Sequence, residues 1–135
     1  MRILIVEDDF ISRKVLEKQM STYGEADVTV NGKEALEAVR IQLAQGEPYS
    51  LICLDIMMPE MDGQEALRAI RNAEKEAGIA GLARAKIIMT TALNDSKDIL
   101  SSFRDECDGY LVKPIKKQDI KKVFDMLEIT PEPET

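Results

Sequence analysis

The sequence predicts an α/β fold in which a five-stranded parallel sheet carries helices on both faces. Two observations lead there. Five short apolar runs alternate with five stretches whose apolar residues recur at helical spacing. One run, Leu51–Leu54, is continuously apolar and ends in a single carboxylate, Asp55, as a strand buried on both faces requires of its charged residue.

Met1–Val6 is the first strand and ends in Glu7-Asp8-Asp9, of which Asp9 caps the following helix. From Phe10 to Tyr23, the residues Ile11, Val15, Leu16, Met20 and Tyr23 mark that helix, and Gly24 closes it as the residue past the C-cap. Ala26–Val30 alternates and is the second strand. Asn31 with Glu34 opens the second helix as a capping box, Leu36, Val39 and Leu43 line its inner face, and Gln45-Gly46-Glu47-Pro48 ends it. The Asp55 strand is third, followed by a Met57-Met58-Pro59 turn. Asp62 and Glu65 repeat the cap, Ala66, Leu67 and Ile70 point the third helix inward, and Gly78 and Gly81 predict fraying across Ala73–Arg84. Lys86–Met89 is the fourth strand, ending in Thr90-Thr91-Ala92. Asn94 or Asp95 caps a fourth helix with Ile99, Leu100, Phe103 and Cys107 on one side. Gly109–Val112 is the fifth strand, ending at Lys113-Pro114, and the last helix, from about Lys117, buries Ile120, Val123, Phe124 and Leu127. Residues 1–128 thus form one domain, and 129–135, with Pro131 and Pro133 among acids, read as a disordered acidic tail.

Right-handed crossovers make all strands of such a sheet run one way and gather ligands outside their carboxyl ends. In the flavodoxin-like, doubly wound (βα)5 arrangement with strand order 2-1-3-4-5, the first and third strands are neighbours at the switch point. Glu7, Asp8 and Asp55 then share a pocket, which Thr91 and Lys113 enter from the fourth and fifth strands. Three carboxylates in one crevice repel. A hard divalent cation removes that conflict, Mg²⁺ or alternatively Mn²⁺. Metal, ammonium and hydroxyl around one free carboxylate oxygen suit a phosphoryl group that Asp55 attacks in line.

Composition narrows the chemistry further. At 135 residues, 44% hydrophobic and 32% charged, the chain has the make-up of one ordinary globular domain. No apolar run is long enough for a membrane span or a signal peptide, so a cytoplasmic protein is expected. The net charge of −7 disfavours direct nucleic-acid binding. The chain has 0 histidines, which removes Ser-His and Cys-His nucleophiles, His-ligated zinc and a phosphohistidine carrier. Cys53 and Cys107 match no metal or redox spacing, and Cys53 reads as a core thiol. Glu7-Asp8-Asp9 would repel a flavin phosphate, no Walker A loop is present, and Met57 stands where a haloacid-dehalogenase-like phosphatase needs a second Asp.

The segments I-L-I-V-E-D-D, N-G-K-E-A-L, L-D-I-M-M-P-E-M-D-G, M-T-T-A and G-Y-L-V-K-P-I together resemble the receiver domain of two-component response regulators, over roughly Arg2–Leu127. The resemblance implies a phosphorylation-activated switch of a phosphorelay, of the CheY-like kind. Asp55 is then the phospho-acceptor, Asp8 a direct Mg²⁺ ligand, Glu7 a ligand through water and the Met57 carbonyl the backbone ligand. Thr91 is the switch hydroxyl, chosen over Thr90 because the family places it directly before the small residue, here Ala92. Lys113 pairs the phosphate, Tyr110 changes rotamer on activation, and the Lys113-Pro114 bond is cis. The donor would be a sensor histidine kinase or histidine phosphotransfer protein. The reader would be an effector protein docking on the face of the fourth helix, fifth strand and last helix, where Lys116, Lys117, Lys121 and Lys122 cluster on an otherwise solvated helix surface. No nucleic acid or membrane partner is expected, and the chain would be a monomer or a weak phosphorylation-dependent dimer. It would not be an enzyme beyond its own phosphoryl transfer and slow autodephosphorylation. The short acidic tail favours a stand-alone regulator.

Two departures from the family pattern carry expectations. The segment between the third and fourth strands is longer than usual. Met57 and Leu93, which in receivers flank the path of the hydrolytic water, are both apolar and predict a slowly decaying phosphoryl state. The methionines Met57, Met58 and Met61 are read as loop packing. A competing reading is a receiver-fold docking module whose phosphorylation is incidental; the complete acid, threonine and lysine set disfavours it.

Overall fold

The computed structural model describes residues 1–56, 58, 61–92 and 107–131. Strands β1 (Arg2–Val6), β2 (Glu25–Thr29), β3 (Leu51–Asp55), β4 (Lys86–Ala92) and β5 (Gly109–Lys113) form one parallel sheet in the order β2-β1-β3-β4-β5. Helices α1 (Phe10–Met20), α2 (Gly32–Ala44), α3 (Gly63–Glu76) and α4 (Lys117–Met126) cover it, with a 3-10 turn at Gly81–Ala83. The helix expected between β4 and β5 falls at 93–106, outside the described residues, and so does most of the expected tail.

Side chains alternate across a strand, so the sheet separates two cores. On one face Leu4, Val6, Ile52, Leu54, Ile87 and Met89 pack against α2 and α3 through Val39, Leu67 and Ile70. On the other, Ile3, Ile5, Leu51, Cys53, Ile88 and Leu111 pack against α1 and α4 through Leu16, Met20, Ile120 and Phe124. Every residue of β3 is buried, as its apolar run requires.

The helix starts form as their caps dictate. Asp9 accepts from the Ser12 N–H at 2.9 Å, Asn31 from Glu34 at 2.8 Å and Asp62 from Glu65 at 3.0 Å, each satisfying an amide that has no partner within the helix. The Glu34 carboxylate reaches back to the Val30 N–H, one residue before the cap.

Four details differ from the sequence reading. Helix α1 ends at Met20, and of its apolar residues only Leu16 and Met20 are buried; Ile11 and Val15 are 67% and 40% exposed, beside exposed Phe10. Ile11/Val15 and Leu16/Met20 are two parallel i,i+4 stripes about 140° apart, and the sheet takes the second. Gly24 does not turn the chain in a left-handed cap. A Cβ there would collide with the Met1 carbonyl oxygen, so its role is close backbone approach. The exit of α3 is tied down rather than frayed. Buried Glu74 accepts from Arg71 at 2.6 Å and from the Ala85 N–H at 2.7 Å, while Arg71 also donates to the Ala85 carbonyl at 2.9 Å and to Asp108 at 3.1 Å. Asp108 in turn accepts from the Ile87 N–H at 2.8 Å, which joins α3 to the amino ends of β4 and β5. Finally, the domain passes residue 128: Glu128 turns the chain at φ 60°, and Ile129, donating to the Phe124 carbonyl at 2.8 Å, is 3% exposed on the α4 face.

Candidate functional site

The carboxyl ends of β1, β3, β4 and β5 meet where sheet order places the crevice. Asp55 closes β3 and is almost wholly buried. Helix α3 reaches it through Gly63, whose N–H donates to the Ile56 carbonyl at 2.9 Å. A Cβ on Gly63 would stand 2.5 Å from the Asp55 carbonyl oxygen, so glycine permits the helix start to rest on the backbone of Asp55 itself. Gly32, opening α2, makes the same close approach to the Met61 carbonyl.

From β1, Glu7 turns fully inward while Asp8 stays exposed. Glu7 accepts the Asp9 N–H at 3.2 Å, and one carboxylate oxygen from each of Glu7, Asp8 and Asp55 lies within 4.8 Å of the others. Lys113 closes β5 and spans this group, its Nζ 2.7 Å from Glu7 Oε1 and 3.2 Å from Asp55 Oδ2. The Lys113-Pro114 bond is cis. Arg13, one helical turn into α1, donates to the Glu7 carbonyl at 3.1 Å. Sequence reading passed over Arg13, because its target is a carbonyl and leaves no pattern among side chains.

Electrostatics follow from this packing. Burial first, then a hydrogen bond and charge from Glu7, push the Asp55 carboxyl up to about 7, against the opposing pull of Lys113. Burial works against the Lys113 ammonium, but its bonds to Glu7 and Asp55 outweigh that and raise it. With all three carboxyls ionised, they and one ammonium carry two net negative charges, which one divalent cation balances; an all-oxygen donor set suits a hard one. The residues therefore fit Mg²⁺.

The two threonines differ in direction. Met89 opposes Tyr110 and belongs to the α2/α3 core, so Thr91, two residues on, shares the face of half-exposed Tyr110. Thr90 opposes Asp55 on the α1/α4 face. Both are buried, and the Thr91 hydroxyl donates to the Ala92 carbonyl at 3.2 Å. Met57 and Leu93 lie outside the described residues.

The model of the response regulator receiver domain matches residues 3–125. The chain belongs to that family. It is 38% identical over 124 residues to hybrid signal transduction histidine kinase L of Dictyostelium discoideum, covering 91% of this chain and 7% of that protein. It spans a tenth or less of the first curated relatives it matches. Among solved structures it is similar to the receiver domain of the Arabidopsis thaliana histidine kinase CKI1 complexed with Mg²⁺, at TM-score 0.77 and 33% identity, covering 96% of this chain and 91% of that one. It is also similar to the Saccharomyces cerevisiae Ssk1 receiver domain crystallised with the histidine phosphotransfer protein Ypd1, at TM-score 0.76 and 26% identity, covering 96% and 92%. As a receiver the chain is a signalling domain of two-component systems. Among the described residues, no helix is long and apolar enough to cross a membrane.

Proposed function

We propose that this receiver accepts a phosphoryl group on Asp55 from a phosphohistidine of a histidine kinase or phosphotransfer protein, and passes the change to an effector protein. The observation that carries it is Lys113 bridging Glu7 and Asp55 inside a pocket where three carboxyl groups gather around one ammonium. Asp8 and Asp55 would hold Mg²⁺ directly, with Glu7 acting through water and Met57 through its carbonyl. Bound there, the cation supplies positive charge for the phosphoryl oxygens.

The chain's own residues do the rest. Gly63 and the sheet fix the Asp55 backbone, so its carboxylate meets the phosphorus in line. An Asp55 oxygen–phosphorus bond forms as the donor's nitrogen–phosphorus bond breaks, and the electron pair leaves with the imidazole nitrogen. Lys113 then exchanges a carboxylate for a phosphoryl oxygen. Phe10 and Ile11, exposed just beyond Asp8, offer apolar surface at the rim where a donor protein approaches. The added charge of roughly −2 draws the Thr91 hydroxyl toward it. Tyr110, half-exposed on the same face, turns into the space released, and the β5–α4 face changes shape.

Incubation with acetyl phosphate and Mg²⁺, followed by phosphate-affinity electrophoresis, tests this. A shifted band in the native chain that disappears in Asp55→Asn is the expected result. No Asp55-dependent shift would overturn it and leave docking as the function of the fold. The apolar pair Met57 and Leu93 further sets a slow loss of the phosphoryl group; complete decay within seconds of removing the donor would refute that.

A further inference from the structure

Thr90 is 1% exposed, and its hydroxyl has no hydrogen-bond partner among the described residues. A buried donor left unused costs stability, and the position itself calls for no hydroxyl: its neighbours Ile88 and Leu111 on that face are apolar, and valine has the same shape. Its surroundings on the other side are different. Thr90 is the register partner of Asp55, the Ile56 N–H donates to its carbonyl at 3.1 Å, and two residues earlier the pair Cys53 and Ile88 lies in the α1/α4 core. Alternation therefore puts the Thr90 and Asp55 side chains next to each other on one face. Adjacent strands run about 4.8 Å apart, a gap that a hydroxyl and a carboxylate span by rotation about their side-chain bonds. Lys113, from the same face of β5, bonds Asp55 in the resting arrangement.

We infer that Thr90 is a further positioning residue of the acceptor site, its hydroxyl donating to the Asp55 carboxylate once Lys113 turns from Asp55 to an incoming phosphoryl group. The inference rests on the proposed phosphoryl transfer. It gives the two adjacent threonines separate work, with Thr90 steadying the acceptor on one face and Thr91 signalling on the other.

The test uses acetyl phosphate, so that no protein donor has to dock. Initial rates of Asp55 labelling in Mg²⁺ are compared for the native chain, Thr90→Val, Thr90→Ser and Asp55→Asn, with thermal unfolding of each. Thr90→Val should unfold no earlier than the native chain yet label about fivefold to tenfold more slowly, and Thr90→Ser should label within about twofold of it. Equal rates for Thr90→Val and the native chain would overturn the role of Thr90 while leaving the acceptor reading intact. Equal slowing in Thr90→Ser would also overturn it, since the methyl group rather than the hydroxyl would then matter. Absence of Asp55-dependent label in the native chain would overturn both.

Discussion

Lys113 is the residue on which the resting site depends. Its ammonium faces fully buried Glu7, which loses its opposite charge once that partner is removed. Lys113→Ala should lower the unfolding free energy by about 3 kcal/mol in denaturant titration at neutral pH, with part of the loss recovered by Mg²⁺ or by adding Asp55→Asn. Asp55 gives a pH signature. Its carboxyl sits at about 7 in the fold against 3.8 for the free group, so the folded chain keeps a proton that the unfolded chain releases. The stability this contributes is full below the unfolded value and is lost as pH rises through the folded one. Without divalent cation, Asp55→Asn should therefore gain stability relative to the native chain as pH is raised from about 4 to 8. A difference that stays flat across that range would contradict the raised value.

Among the elements, α3 and its attachments show what a sequence reveals and what it hides. The caps Asp9, Asn31 and Asp62 were legible because each acts three residues away, within one helical turn. The Arg71–Glu74–Asp108 network was not, because Arg71 and Asp108 stand 37 residues apart in the chain, and the glycines after α3 suggested a loose end. Helix α1 shows an intermediate case, where periodicity gives two candidate stripes and only the direction of the sheet chooses Leu16 and Met20 over Ile11 and Val15. Glu74→Gln replaces an acceptor with an amide between Arg71 and the Ala85 N–H, and should cost about 3 kcal/mol. Arg71→Ala should cost a similar amount, and the double variant less than the sum. Because the network joins the amino ends of β4 and β5, opposite the acid pocket, labelling of Asp55 should persist in both variants under conditions where they stay folded.

For the whole molecule, strand order alone brought Glu7, Asp8, Asp55 and Lys113 to one crevice, since residues at strand ends are placed by topology before any side-chain detail. What topology does not supply is direction along those ends, hence the unforeseen Lys113 bridge and the division of the two threonines between faces. If Mg²⁺ binds the folded chain and not the unfolded one, it raises stability by mass action, by about 2.7 kcal/mol at a hundredfold excess over its dissociation constant. Asp8→Asn should abolish most of that rise in the unfolding midpoint; a midpoint that climbs equally in the variant would place the cation elsewhere. The sheet also works as a partition. Thr90 and Thr91 are joined by one peptide bond yet point to opposite faces of the sheet, Thr90 to the face of the Asp55 side chain and Thr91 to that of Tyr110, and on the proposed reading Thr91 meets the phosphoryl group only at the strand end. On the proposed reading, the speed at which a signal enters and the way it is read are then separately adjustable, and a lineage could retune its timing at one threonine without rewiring its partner at the next.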